Sequence, residues 1–71
     1  MLDYTSIMVL AYSRATGKSV TEALAELAID HLIEPAEIGQ PSLEEELLIS
    51  SLGYDKAGVA VWAEFFRRDH Q

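Results

Sequence analysis

Two histidines and twelve carboxylates are the residues of this 71-residue chain best suited to acid–base or metal chemistry, and there is no cysteine to supply a thiolate or a disulfide. His31 falls on the apolar seam of a predicted helix. A metal pair there would need a ligand one turn away, yet the position three residues before it is Ala28; Glu34, three residues after it, shares its face but has no second ligand set to join. His70 lies in a segment expected to fray. Six serines are present, none in a glycine-flanked elbow beside a base that could activate it. Gly17-Lys18-Ser19 matches only the tail of a phosphate-binding loop, without the upstream glycine and strand, and reads better as a helix stop followed by a helix cap. The expectation is a non-enzymatic protein with no catalytic residue, no metal site and no cofactor.

Charge is more informative. Five lysines and arginines against twelve acids give a formal charge of -7, and from Ser19 to Asp55 there are nine acidic residues and no basic one. Arg14, Lys18, Lys56, Arg67 and Arg68 all lie outside that belt. Such a belt repels phosphate and attracts basic surfaces, which disfavours nucleic acid and favours a protein partner, unless it serves only to keep the protein soluble. The apolar run Ile7 to Tyr12 follows no basic region and is far shorter than the roughly 20 residues of a membrane span. A cytoplasmic location with no membrane association is therefore expected.

The elements that must position these groups read as four helices in one domain covering residues 1–71. Asp3 or Thr5 caps a first helix from Thr5 to Ala15, with Ile7 to Tyr12 apolar and Gly17 as its stop; its β-branched content also allows a strand. Ser19-Val20-Thr21-Glu22 fits a capping box, and Val20, Leu24, Leu27, Ala28, His31 and Leu32 recur at helical spacing. A second helix is thus predicted from Val20 to Ile33, ended by Pro35. After a linker with room for one turn, Ser42-Leu43-Glu44-Glu45 forms another capping box. The third helix runs from Leu43 to Leu52, with Leu43, Leu47, Leu48, Ser51 and Leu52 as its stripe and Gly53 as its stop. Asp55 caps a fourth from Lys56 to Arg68. The fold class is all-α, a small four-helix bundle-like domain, dimeric for the reason given next.

Two surfaces stand out. Glu22, Glu26, Asp30 and Glu34 follow one another at four-residue intervals, where like charges repel, and no cation within that helix offsets them. Either solvent and salt screen this stripe, or Arg67 and Arg68 fold back on it, or it is a docking face for a basic partner segment. In the fourth helix, seven of the eight residues Val59 to Phe66 are apolar. Val59, Trp62, Ala63 and Phe66 share a face, while Val61 and Phe65 point elsewhere. A helix apolar nearly all round must be buried nearly all round. Either it is the centre of the bundle with Phe65 or Val61 partly exposed, or a second copy or another partner covers Val61, Trp62, Phe65 and Phe66; a modest core of 35 hydrophobic residues, nine of them alanine, favours the second copy.

Residues 11–32, Ala-Tyr-Ser-Arg-Ala-Thr-Gly-Lys-Ser-Val-Thr-Glu-Ala-Leu-Ala-Glu-Leu-Ala-Ile-Asp-His-Leu, resemble the helix, turn and helix of ribbon-helix-helix regulators and antitoxins. In that family a Thr-Gly-x-Ser turn precedes an Ala- and Leu-rich second helix, and Thr16, Gly17, Ser19, Glu22, Leu24 and Leu27 match. The resemblance implies an intertwined dimer with a DNA-reading ribbon ahead of the first helix. The four residues before Thr5 leave no such ribbon, so no base-reading residue carries over, and dimerisation is implied more than DNA binding. The expected function is a small acidic regulator or adaptor that binds a basic partner surface; the alternative is an antitoxin or transcriptional regulator of that family.

Overall fold

Helix α1, Tyr4–Thr16, begins where the Asp3 carboxylate accepts the otherwise orphaned Ser6 amide at 2.9 Å. That bond holds the Asp3 carboxyl below its ordinary range. The helix ends at Gly17, whose φ of 73° suits a residue without a Cβ and whose amide donates to the Ser13 carbonyl at 3.0 Å. In the computed structural model, which describes residues 2–53 and 55–69, the last four by backbone alone, three further helices follow: α2 Val20–Ile29, α3 Leu43–Leu52 and α4 Lys56–Asp69. No strand occurs among the described residues, and the β-branched start of the chain is helical. His70 lies outside the described residues, as do the side chains of Phe66, Arg67 and Arg68.

All three other helices pack on α1. Ser6 and every residue from Met8 to Ser13 are buried, so α1 has no wet face over its middle turns. With about 100° of rotation per residue, Met8, Val9 and Tyr12 point one way and Leu10 and Ala11 nearly the opposite way. The first set joins Ala23 and Leu27 of α2 with Val59 and Ala63 of α4 in one cluster. The second meets Ile49 of α3. α3 and α4 therefore flank α1 from opposite sides. The place at the bundle centre that the apolar sequence of the fourth helix suggested belongs to α1 instead.

The two buried serines tether segments between helices. Ser13 Oγ donates to the Lys18 carbonyl at 2.6 Å, closing the α1–α2 turn, and Ser6 Oγ accepts the Gly39 amide at 3.4 Å, holding the long connection against α1. A Cβ on Gly39 would come within 2.9 Å of the end of the Leu2 side chain, which would have to shift to make room for it.

α2 stops four residues short of the expected Ile33. His31 takes φ 59°, its amide donates to the Ala28 carbonyl and the Leu32 amide to the Leu27 carbonyl, each at 3.0 Å. This is a Schellman close with histidine in the position glycine usually fills. The physical reason lies in Ile29 and Ile33. Continued helix would put them on one face, four residues apart, but Ile29 is 74% exposed and Ile33 only 9%. Unwinding at His31 lets Ile33 turn back into the core cluster. His31 is consequently exposed and not a seam residue.

α3 has the expected bounds and a complete capping box, with the Glu45 amide donating to Ser42 Oγ at 3.2 Å and the Ser42 amide to Glu45 Oε1 at 3.0 Å. Of its expected stripe only Leu52 packs inward; the other three leucines face outward. Leu43, Leu47 and Leu48 are 79%, 67% and 54% exposed, while Ile49 is buried and Leu52 partly so. Glu45, Glu46, Ile49 and Leu52 share the inward face, and the two glutamates earn that orientation by bonds to Leu2 and Arg14. α4 starts at Asp55, whose carboxylate accepts the Gly58 amide at 2.8 Å.

Two outcomes test this core. Leu27 is fully buried, so Leu27→Ala should destabilise the fold by about 2 to 5 kcal/mol, measured by chemical denaturation, whereas a loss no larger than that of a surface change such as Glu44→Gln would contradict its placement. At His31, the valine variant should be less stable than the glycine variant by about 1 to 2 kcal/mol, because both remove the imidazole but only valine must strain to hold a positive φ. Equal unfolding midpoints would show that the left-handed close is absent in solution.

Candidate functional site

The acids singled out by spacing do not form one exposed stripe. Glu22 sits in the first turn of α2, where its amide donates to Ser19 Oγ at 3.1 Å and the serine hydroxyl donates to Glu22 Oε1 at 3.2 Å. The cap therefore closes through the hydroxyl, not through the serine amide that a full capping box would use. Glu34 lies beyond the close at His31, off the helix and exposed. Between them, Glu26 and Asp30 are engaged internally.

Glu26 is the hub of a polar cluster that joins three helices and a turn. Tyr12 of α1 donates its hydroxyl to Glu26 Oε1 at 2.8 Å, Lys18 of the α1–α2 turn pairs with Glu26 Oε2, and Lys56 of α4 reaches Glu26 Oε1 at 2.9 Å and Asp30 Oδ2 at 2.6 Å. The Lys18 ammonium also lies 5.7 Å from the centroid of the Tyr12 ring, within reach of a cation–π attraction. Hydrogen bonds from Lys18, Lys56 and Tyr12, in that order, bring the Glu26 carboxyl down to about 2. The same bonds act in reverse on the partners. Glu26 raises the Tyr12 hydroxyl and the Lys18 ammonium, and Asp30 with Glu26 raises the Lys56 ammonium. The repulsion expected along the helix is thus relieved from outside it. The signal for this in the sequence is that Lys18 and Lys56 bracket the acidic belt, although neither lies within the helix whose charge they offset.

A second charged clamp holds α3. Arg14 grips Glu46 with two bonds, Nε to Oε1 at 2.7 Å and Nη2 to Oε2 at 2.9 Å, the fork geometry suited to guanidinium and carboxylate. The pairing lowers the Glu46 carboxyl. Glu45 uses its second oxygen to accept the Leu2 amide at 2.9 Å, and its carboxyl is lowered by the Ser42 amide first and by Leu2 second. Every lysine and arginine with a described side chain, namely Arg14, Lys18 and Lys56, is therefore spent on an internal pair. Exposed Glu34, Glu37 and Glu44 enter no ion pair among the described residues.

Of the apolar positions assigned to a dimer interface, Val61 is 70%, Phe65 54% and Trp62 38% exposed, with the last two rings edge to face at 5.9 Å. Val59 and Ala63, four residues apart, form the buried face that seats α4. Phe66 falls outside the described side chains. An open groove of about 750 Å³ is bordered by Tyr4, Thr5, His31, Glu34 and Ala63. It brings His31 and Glu34 to one rim, but no cluster of three metal-ligating side chains exists among the described residues. No helix of the described residues is long and apolar enough to cross a membrane. No family model matches the chain, and neither a curated protein nor a solved structure matches it.

The Glu26 cluster has a defined pH signature. A carboxyl lowered by folding contributes stability that is fully present above its ordinary value of 4.5 and is lost as pH falls from there through about 2. Glu45, Glu46 and Asp3, also lowered, act in the same direction. The unfolding midpoint should therefore drop between about pH 5 and pH 2, and Glu26→Gln should be less stable than the native protein at pH 7 with a shallower drop on acidification. Parallel pH profiles for the two proteins would remove Glu26 from its central role.

Proposed function

We propose that this protein is a small acidic, non-enzymatic interaction module, a regulator or adaptor that binds a basic surface of a partner protein and pairs with a second copy of itself through α4. The observation that carries the reading is the exposure of large apolar side chains on two outer helix faces of a protein whose described cations are all internally paired. Large exposed apolar groups on a small domain mark contact surfaces more often than catalytic ones. The excess of carboxylates left over selects a cationic partner and repels phosphate.

Charge also separates the two roles. Residues 56–69 hold three basic residues (Lys56, Arg67, Arg68) against two acids (Glu64, Asp69), so two copies can meet along α4 without the repulsion that the acidic belt would impose. Val61 and Phe65 point away from the α1 core and can enter such a contact without disturbing Val59 and Ala63. Association would take their surface out of water at about 25 cal/mol per Å² before the cost of lost freedom is subtracted.

Sedimentation tests the dimer. The native protein should be dimeric at high micromolar concentration, and Val61→Lys with Phe65→Lys should return it to monomer with unchanged helicity. A monomeric native protein removes the second copy from the proposal. Partner chemistry is tested by titration with a synthetic Leu/Lys amphipathic helix of about 15 residues and with its Leu/Glu counterpart. The lysine peptide should bind at least roughly tenfold more tightly at physiological salt; equal or undetectable binding of both would refute the basic-partner reading.

A further inference from the structure

We infer that the outer face of α3, the ridge of Leu43, Leu47 and Leu48 beside Glu44, is the docking surface for a basic amphipathic helix of the partner protein. The inference rests on the interaction-module reading and assigns it a place that differs from the acidic residues of α2.

Restraints on the other side of the helix aim the ridge outward. Ile49 is buried against Leu10 and Ala11, the Glu46 carboxylate is held by both arms of the Arg14 guanidinium, and Glu45 bonds the Leu2 and Ser42 amides. Rolling α3 to hide its leucines would break all of these at once. Three leucines more than half exposed are thus a fixed feature of the folded chain. Leu43 and Leu47 are one turn apart and Leu48 lies beside them, the i, i+4 arrangement on which a second helix lays an apolar stripe.

Charge identifies the occupant. Glu44 is exposed on the same outer face, in line with Leu48 one turn on and in no ion pair among the described residues, while Glu45 and Glu46 face inward, and from Ser42 to Gly53 there is no basic residue. A second copy laid on this face through its own α3 would bring a like charge, its Glu44, with its described cations already committed to Glu46, Glu26 and Asp30. A helix with leucine-like residues on one side and lysine or arginine on its flanks satisfies both the apolar ridge and Glu44. By contrast Glu26 and Asp30, the centre of the predicted acidic stripe, have given their oxygens to Lys18, Lys56 and Tyr12. A partner cation arriving there would have to displace an internal one.

The experiment uses the Leu/Lys peptide with three proteins: native, a Leu43→Gln plus Leu47→Gln variant of α3, and a Val61→Gln plus Phe65→Gln variant of α4. Glutamine keeps helix propensity, and the replaced side chains face water. The α3 variant should lose at least roughly tenfold in affinity and the α4 variant less than roughly twofold. Backbone amide shifts of the native protein on peptide addition should concentrate between residues 43 and 51, which keeps the inference testable if a variant folds poorly. Loss of affinity in the α4 variant alone overturns the α3 assignment while leaving the interaction-module reading intact. Failure of the native protein to prefer the lysine peptide over the glutamate peptide overturns both. Self-association that disappears in the α3 variant shows that a second copy covers the ridge, and the inference is then wrong.

Discussion

Helix α1 has no side it can turn to water over its middle turns, and the remaining structure is arranged around that constraint. A run of buried residues from Met8 to Ser13 leaves no polar face for solvent, so α1 must be covered from several directions by a chain with few residues available to do it. Three short helices and one extended connection supply the cover, each with a small apolar contribution: Ala23 and Leu27 from α2, Ile49 from α3, Val59 and Ala63 from α4, with Ile33 and Ile38 from the connection. Because each covering helix buries so little of itself, the opposite faces of α3 and α4 are left with leucine, valine and aromatic side chains in water. The exposed apolar surfaces are the counterpart of a core built round a single central helix.

Polar groups complete what the thin apolar layer leaves open. Glu26 gathers Tyr12, Lys18 and Lys56, and Arg14 clamps Glu46, so each covering helix has a charged tie to another element. These pairs are part-exposed and solvent weakens them, which makes them better at fixing which way a helix faces than at supplying bulk stability. Their less obvious effect is on the surface. They neutralise Glu26, Asp30 and Glu46, consume the described cations and leave the other acids of the belt, Glu34, Glu37 and Glu44 among them, without one, so a device for orienting helices also sets the charge that a partner meets.

The two proposed contact faces lie on opposite sides of α1 and differ in charge. The α4 segment is nearly balanced and suits association of like with like, whereas the outer face of α3 carries leucines with the exposed carboxylate of Glu44 and no cation, and suits a cationic amphipathic helix. A dimer through one and a partner helix on the other are geometrically compatible, because α1 separates them.

The sequence by itself determined the helical class, the number of helices and most of their ends. Ser19, Ser42 and Asp55 announce starts and Gly17 and Gly53 announce stops through local hydrogen bonding and backbone freedom, which act over three or four residues and need no tertiary partner. The buried Leu27 and the outward Val61 and Phe65 were legible for the same reason: helical periodicity is local. What only tertiary structure decided is which of several apolar faces turns inward. Helix α3 carries Leu43, Leu47 and Leu48 on one side and Ile49 with Leu52 on the other, and propensity cannot choose between them; contacts distant in sequence, Ile49 against Leu10 and Ala11, Glu46 with Arg14 and Glu45 with Leu2, go with the second face. Helix α2 ends at Ile29 because the core recruits Ile33, not because Pro35 forbids helix earlier. Glu26 changes from an apparent docking residue to an internal hub because Lys18 and Lys56, eight and thirty positions away, arrive from a turn and from another helix. In each case the deciding interaction joins residues that only the folded chain brings together.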